Sequence, residues 1–400
     1  MFYAGEHYNG GPYVNGLRMT RQLNLLGHCI LPMVLSYNGD DSAHRYFTSI
    51  GIDSVSFNIP ARREDVMRWI LEELQRFNPD VFIPNICLSG LYASRWVQKA
   101  GIVTVAVQRS IDRRNSLIAE IFGFGKFWKT TGFVCVSKYL LDITSKFESY
   151  SKNVSVIPSG VVLHNKCANQ TKNNIKICYA GRLEKGEKRV DLISSAFFRL
   201  ARNKKLSFTF IGEGREKQNL VNSVQSRKLD KRITFTRFLI DKEYYSKLME
   251  HNIIVLFSDF EGMPGAIMDG MSCGLIPVCR HYDGLEELVL HKETGFVFRT
   301  NEEFEQIINQ LVSDQKLRIK ISYNARRHIE KYYSLTVCAK KWELFLKELL
   351  KTNMEKKDII IPKRFRGKYH PELIGFEIPH ETTFNKYLKK AIRIIKRIFT

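Results

Sequence analysis

Apolar residues along this chain fall into two alternating patterns. Short runs rich in Val, Ile and Phe occupy 30–35, 55–59, 81–84, 103–107, 132–136 and 154–157, and again 175–180, 206–211, 233–235, 253–257 and 275–279. They have the length and branching of strands buried on both faces. Between them lie stretches whose apolar positions recur every three or four residues, at 13–27, 64–77, 90–100, 138–147, 190–203, 216–228, 242–250 and 266–271. That is the period of amphipathic helices. Strand and helix taking turns predicts an α/β architecture of parallel sheets with helices on both faces. Segment 116–129 fits either helix or loop, and helical stretches at 303–313, 315–332 and 337–351 close the series.

A polar stretch at 162–174, with Asn, His, Lys and Gln clustered, interrupts the alternation and reads as a linker. It divides the chain into two similar β/α halves, and a cleft between such halves is a favoured ligand site. No sequence repeat relates the two. The very short first strand raises the expectation that the natural chain starts upstream of Met1.

Composition narrows the classes. The 400 residues exceed one ordinary core, and 44% hydrophobic residues can fill two. No run of about 18 uncharged apolar residues occurs and no basic-then-apolar leader opens the chain, so a cytoplasmic protein is expected. The eight cysteines are scattered without C-x-x-C spacing, and the ten histidines form no metal-binding pattern. Reduced thiols and no metal are therefore expected. A formal charge of +21 calls for an anionic partner. The basic runs lack interleaved aromatic platforms, so no nucleic acid is expected.

The chemistry concentrates where the run at 253–257 gives way to Phe260-Glu-Gly-Met-Pro-Gly265. Gly and Pro break the strand, a helix follows, and Gly274 can stop it. In such a unit the loop lies at the carboxyl end of the sheet, where open α/β proteins bind ligands. The amides of Met263, Gly265 and Ala266 would sit at the helix N-terminus and favour an anion such as a diphosphate. Glu261 precedes that site, and Asp269 follows about two turns into the helix. Two carboxylates flanking an anion are placed to accept hydrogen bonds from sugar hydroxyls, the needs of a nucleotide-sugar. Elsewhere, Gly181-Arg-Leu-Glu-Lys-Gly-Glu-Lys-Arg puts Arg182 and Lys188 in a loop after a strand, suited to phosphate. Gly10 and Gly11 would let backbone approach a ligand. Gly212 in Phe210-Ile-Gly-Glu-Gly either admits a nucleobase or ribose or simply turns the chain.

Taken together, Tyr-Ala-Gly-Arg-Leu at 179–183, Phe-Ile-Gly-Glu-Gly at 210–214, Phe-Ser-Asp-Phe-Glu-Gly-Met-Pro at 257–264, Gly-Leu-Glu-Glu-Leu at 284–288 and Thr-Gly-Phe-Val at 294–297 resemble family 4 glycosyltransferases in order and spacing. Val-Cys-Val-Ser-Lys at 134–138 and Val-Ile-Pro-Ser-Gly-Val at 156–161 add to the likeness. The resemblance covers roughly residues 10–350 and is most specific between 178 and 298. It implies a GT-B fold of two Rossmann-like domains with an interdomain cleft, a nucleotide-sugar donor, retention of configuration and no metal. Residues 1–165 would form the acceptor-side domain and 166–335 the nucleotide-sugar domain. Residues 336–352 would be a helix returning toward the first domain, and 353–400 a basic tail.

The resemblance makes Arg182 and Lys188 a diphosphate clamp and brings Gly11 to the transferring phosphate. It makes Glu261 the partner of a donor-sugar hydroxyl, Gly262, Met263, Pro264, Gly265 and Ala266 the sugar and phosphate cradle, and Asp269 the ribose ligand. Three departures stand out. Asp269 occupies a position where the family usually has Glu. The loop after Gly181 is one residue longer than usual, which makes Arg189 or Lys185 substitutes for Lys188. Arg109 is the candidate for a position where a His is common, facing acceptor or donor sugar. No nucleophile or base stands out in the first half, so front-side attack and a covalent intermediate both stay open. The alternatives are a nucleotide-sugar epimerase, which would convert the donor without an acceptor, and a catalytically silent carbohydrate- or nucleic-acid-binding protein, which would bind without turnover.

Residues 351–400 hold 13 Lys+Arg against 5 Asp+Glu. Within 380–400, Phe384, Tyr387, Leu388, Ala391, Ile392, Ile395, Ile398 and Phe399 fall on one helical face, flanked by Lys and Arg. This is the pattern of a helix lying on an anionic membrane, here the inner face of the plasma membrane, or of a helix packed on a partner. A membrane location points to a glycan or lipid-linked acceptor, in polysaccharide or lipopolysaccharide synthesis.

Overall fold

The alternation of apolar runs and amphipathic stretches is realised as two α/β domains. The structure is a computed structural model that describes residues 2–4, 11–37, 39–59, 61–125, 128–145, 153–171, 174–351, 355–365, 369 and 371–374. The first domain carries β1 (Phe2–Ala4), β2 (Met33–Tyr37), β3 (Val55–Ile59), β4 (Val81–Asn85), β5 (Val103–Gln108), β6 (Gly132–Cys135) and β7 (Val154–Val156). Its helices are α1 (Gly11–Leu25), α2 (Ser42–Ser49), α3 (Arg63–Phe77), α4 (Leu88–Lys99), α5 (Arg113–Ile118) and α6 (Lys138–Thr144). The second carries β8 (Ile175–Ala180), β9 (Leu206–Ile211), β10 (Ile233–Thr236), β11 (Ile253–Leu256), β12 (Ile276–Arg280) and β13 (Phe296–Phe298). With them come α7 (Val190–Leu200), α8 (Lys217–Ser226), α9 (Asp241–Met249), α10 (Gly265–Ser272), α11 (Asn301–Ser313) and α12 (Gln315–Tyr332), then α13 (Leu335–Lys351) and α14 (Pro371–Ile374).

All strand pairings are parallel, and the second-domain sheet has the order β10-β9-β8-β11-β12-β13. Its central strands, β8, β9, β11 and β12, are buried almost throughout on both faces, which is why they read as near-continuous apolar runs. In β11, Ile253 and Val255 enter the core on one side while Ile254 and Leu256 enter the core on the other. Burying each such side chain contributes about 1.5–3 kcal/mol. The order reverses direction between β8 and β11, so the loops after these two strands flank a crevice at their carboxyl ends.

The first-domain strands form two sheets, β1-β2-β3 and β4-β5-β6-β7, rather than one. Helix α2 and strand β13 go beyond the sequence reading. Only Ala43 and Phe47 of α2 are buried, too few to show a period, and β13 has three residues. Helix α13 returns to the first domain, where Leu335, Cys338, Ala339, Trp342 and Leu349 join its core. The stretch after it does not leave the fold at once. Ile359 and Leu373 are buried in the same core, and Tyr369 meets Tyr92 edge-on at 5.0 Å. The basic tail read from residue 353 is therefore anchored as far as 373, and the amphipathic stretch 380–400 lies outside the described residues. Among the described residues, no helix is long and apolar enough to cross a membrane.

The domains meet through specific contacts. Glu287 accepts hydrogen bonds from the Lys138 and Tyr139 amides at 2.8 and 2.5 Å, which sets a second-domain carboxylate at the positive end of α6. Gly284, with φ of 91°, lies so near Tyr139 that an added Cβ would fall 2.7 Å from that side chain. The Gly-Leu-Glu-Glu-Leu segment is thus a strut between domains.

Candidate active site

The crevice between β8 and β11 holds a cluster of paired polar side chains. Lys188, at the end of the loop after β8, places Nζ 2.6 Å from Glu261 Oε1 and 2.5 Å from Glu187 Oε1. Ser258 Oγ donates to the same Glu261 oxygen at 2.7 Å. Lys188 and Glu261 side chains are mostly buried, at 16% and 12% exposure, and a buried ion pair is tolerated when its hydrogen bonds are made. Burial works against the Lys188 ammonium, but the Glu261 and Glu187 carboxylates outweigh it and hold its pKa above the ordinary lysine value. The two substitutes point elsewhere: Lys185 pairs with Glu216, and Arg189 with Asp259 and Asp191.

Beside this pair, α10 begins at Gly265 after Pro264, whose carbonyl accepts from the Ile267 and Met268 amides. Among the described residues, no group accepts from the amides of Met263, Gly265 or Ala266. An added Cβ on Gly265 would meet nothing within 4 Å, so the helix start is open. Gly262 is the opposite case. Its Cβ would fall 1.9 Å from the Arg109 carbonyl oxygen, so this glycine is required by close approach of the first domain. Met263 packs against cores of both domains.

Arg182 is 53% exposed and turned to Glu184 and Glu187, at 3.0 and 3.6 Å, so it shares the Glu187 carboxylate with Lys188. The space beside the Gly212 α-carbon is filled by the Gly181 carbonyl, 2.2 Å from an added Cβ, so the close approach of these two turns requires a glycine here. Gly11 opens α1 and is exposed, with open space around it. Gly10 lies outside the described residues. Asp269 is buried and both its oxygens accept hydrogen bonds within the protein. Arg18 of α1 forks it at 2.9 and 3.3 Å, and the Tyr245 hydroxyl donates at 3.0 Å. Glu261 and Asp269 thus face different partners, because one precedes α10 and the other is on its inner face.

Arg109, just after β5, is the remaining predicted residue. Its Nε donates to Asn85 Oδ1 at 2.8 Å, and its Nη1 to Asn15 Oδ1 at 3.1 Å and Ser159 Oγ at 3.4 Å. Burial pushes its pKa down to about 10.

Arg18, Tyr245, Asn15, Asn85, Ser159 and Ser258 were not legible as site residues. Asn15 and Arg18 sit three apart on one face of α1, a spacing that marks a shared face but names no partner. His164, whose ring centre lies 4.0 Å from that of Tyr245 with the planes tilted by 51°, was likewise hidden in the linker.

The architecture is the GT-B arrangement of parallel α/β domains seen in solved glycosyltransferases. The Anabaena protein HepE, solved with UDP and glucose, superposes with a TM-score of 0.70 over 87% of this chain and 98% of its own, at 15% identity. Residues 164–328, which hold the Lys188–Glu261 pair and α10, match the family model described as Glycosyl transferases group 1. An uncharacterized glycosyltransferase of Methanocaldococcus jannaschii is 24% identical over 56% of this chain and 60% of its own length. The O-antigen biosynthesis glycosyltransferase WclY of Escherichia coli is 30% identical over 30% of this chain and 29% of its own. The chain therefore spans less than two thirds of the length of these two curated relatives, 60% of one and 29% of the other.

Proposed function

We propose that the protein is a retaining glycosyltransferase of family 4 that moves a sugar from a nucleoside-diphosphate donor to a glycan or lipid-linked acceptor. The observation that carries this reading is the Lys188–Glu261 pair at the β8/β11 crevice, beside three amides that no described protein group engages. The family match over 164–328 and the bound UDP and glucose of the Anabaena protein support it. The O-antigen role of the Escherichia coli relative supports an acceptor in surface-polysaccharide synthesis.

In this reading the diphosphate lies on the amides of Met263, Gly265 and Ala266. Its developing negative charge is met by Lys188, with Arg182 swinging in from solvent and Gly11 approaching from the first domain. Glu261 orients a hydroxyl of the donor sugar rather than attacking it. Asp269 receives the ribose through an oxygen that Arg18 shares or gives up. Because protein cations and amides carry the charge, no metal enters the scheme. The basic face of 380–400 holds the enzyme on an anionic membrane, next to a lipid-linked acceptor.

A hydrolysis screen over nucleotide-sugars tests the proposal, since slow transfer to water needs no acceptor. We expect release of nucleoside diphosphate from at least one donor, undiminished by a chelator. Interconversion of the donor sugar without cleavage would identify an epimerase instead, and binding without turnover a silent protein.

A further inference from the structure

The cations of the cleft differ in one respect. Lys188 lies against Glu187 and Glu261, Arg182 against Glu184 and Glu187, and Arg18 against Asp269. Arg109 has no such partner among the described residues. Its neighbours are two carboxamides and a hydroxyl, all neutral, and no carboxylate offsets the effect of its burial. Taking a guanidinium out of water without an anion is costly, and a bound anion would remove that cost. Its Nη2 has no acceptor among the described residues and is not sealed inside the protein.

The position of this group says what the anion belongs to. Asn85 ends β4, Arg109 follows β5, Ser159 follows β7 and Asn15 lies on α1, so the pocket sits at the carboxyl ends of the first-domain strands. The Arg109 backbone closes on Gly262, the residue after Glu261. Arg109 therefore touches the loop assigned to the donor sugar through its backbone, while its guanidinium is held by first-domain side chains, on the opposite domain from Lys188, Arg182 and the α10 amides. Those groups already provide for the diphosphate.

Resting on the glycosyltransferase reading, we infer that Arg109 anchors a carboxylate or phosphate carried by the sugar entering the cleft, so that the protein acts on an acidic rather than a neutral sugar. Asn85, Asn15 and Ser159 hold the fork in place, which leaves Nη2 for the anion. The acidic group can arrive on the donor or on the acceptor, and the two are separable.

Calorimetric titration of the full chain with UDP-glucuronate against UDP-glucose tests the donor. Titration with glucose 6-phosphate against glucose, with and without saturating UDP, tests the acceptor. We expect one acidic member to bind at least about tenfold more tightly than its neutral counterpart, the usual worth of a charge-assisted hydrogen bond. In Arg109→Met that preference falls to near unity, while Arg109→Lys, which keeps the charge but not the fork, retains part of it. Equal binding within both pairs by the unaltered protein would overturn the inference, whether or not Arg109→Met folds. So would Arg109→Met losing UDP itself, which would assign the guanidinium to the diphosphate. If no nucleotide binds but glucose 6-phosphate is still preferred over glucose, the glycosyltransferase reading fails and the anion site stands.

Discussion

Lys188 keeps its charge in a mostly buried position because Glu261 and Glu187 face it, and Glu261 in turn is held by Lys188 and Ser258. Removing either member leaves a poorly solvated charge. Lys188→Met is expected to lower transfer by about 100-fold or more, through lost stabilisation of the leaving diphosphate, measured as kcat at saturating donor. Gly262→Ala should do similar harm without touching a charge. Its methyl would collide with the Arg109 carbonyl, and a displacement of about 1 Å at this loop costs roughly 100-fold in rate. Unchanged kcat in Gly262→Ala would show that the contact is dispensable. His251 supplies a pH test of the second domain. It is buried, with Nδ1 toward the Lys247 carbonyl and Nε2 toward Thr209 Oγ1, both at 2.8 Å. Burial pushes its pKa from 6.5 down to about 4, so between those values the unfolded chain takes up a proton that the folded chain refuses. Stability from this group is complete above about pH 6.5 and falls by about 3 kcal/mol as pH drops through 4. Thermal melting should show that loss in the natural protein and much less of it in His251→Gln. Of the site residues, Glu261 and Lys188 were legible because each lies in a loop directly after a buried strand. The bond between Arg18 and Asp269 was not, since no local pattern links residues 251 positions apart.

Helix α1 is one of the elements that couple the domains. Its Arg18 forks Asp269 of α10, and its Asn15 reaches both Arg109 and the Gly160 carbonyl. Because Arg18 and Asp269 are 12% and 7% exposed, breaking the pair from one side strands the other charge. A double-mutant cycle with Arg18→Met and Asp269→Asn should give a coupling of about 1.5–3 kcal/mol by denaturant unfolding, with the double variant less destabilised than the sum of the two. Additive effects would mean that the bridge is incidental to the closed cleft. The central strands were readable because both faces are buried, which leaves the apolar run intact in the sequence. Helix α2 was not, because its polar surface hides the two side chains that hold it. The turn at Gly212 was ambiguous for another reason: a glycine required by a neighbouring carbonyl and a glycine required by a ligand read alike.

At the scale of the molecule, the basic excess has one concentration legible in the sequence: 380–400 holds six Lys and Arg against one Glu, and these bases flank one apolar face. The full chain is expected to sediment with liposomes containing anionic lipid and not with neutral ones, and a chain ending at residue 379 should lose that binding. Retained binding after the truncation would move the membrane contact to the body of the protein. The two-domain plan was legible from the alternation of strand and helix and from the polar linker, whereas the anchoring of Ile359 and Leu373 in the first-domain core was not, since isolated apolar residues in a basic stretch carry no period. The central claim concerns one loop and is tested most directly by the rate of nucleoside-diphosphate release from the best donor, compared between the unaltered protein and Glu261→Ala. The account predicts a fall of about 100- to 1000-fold with the chain still folded. Equal rates in the two would contradict it.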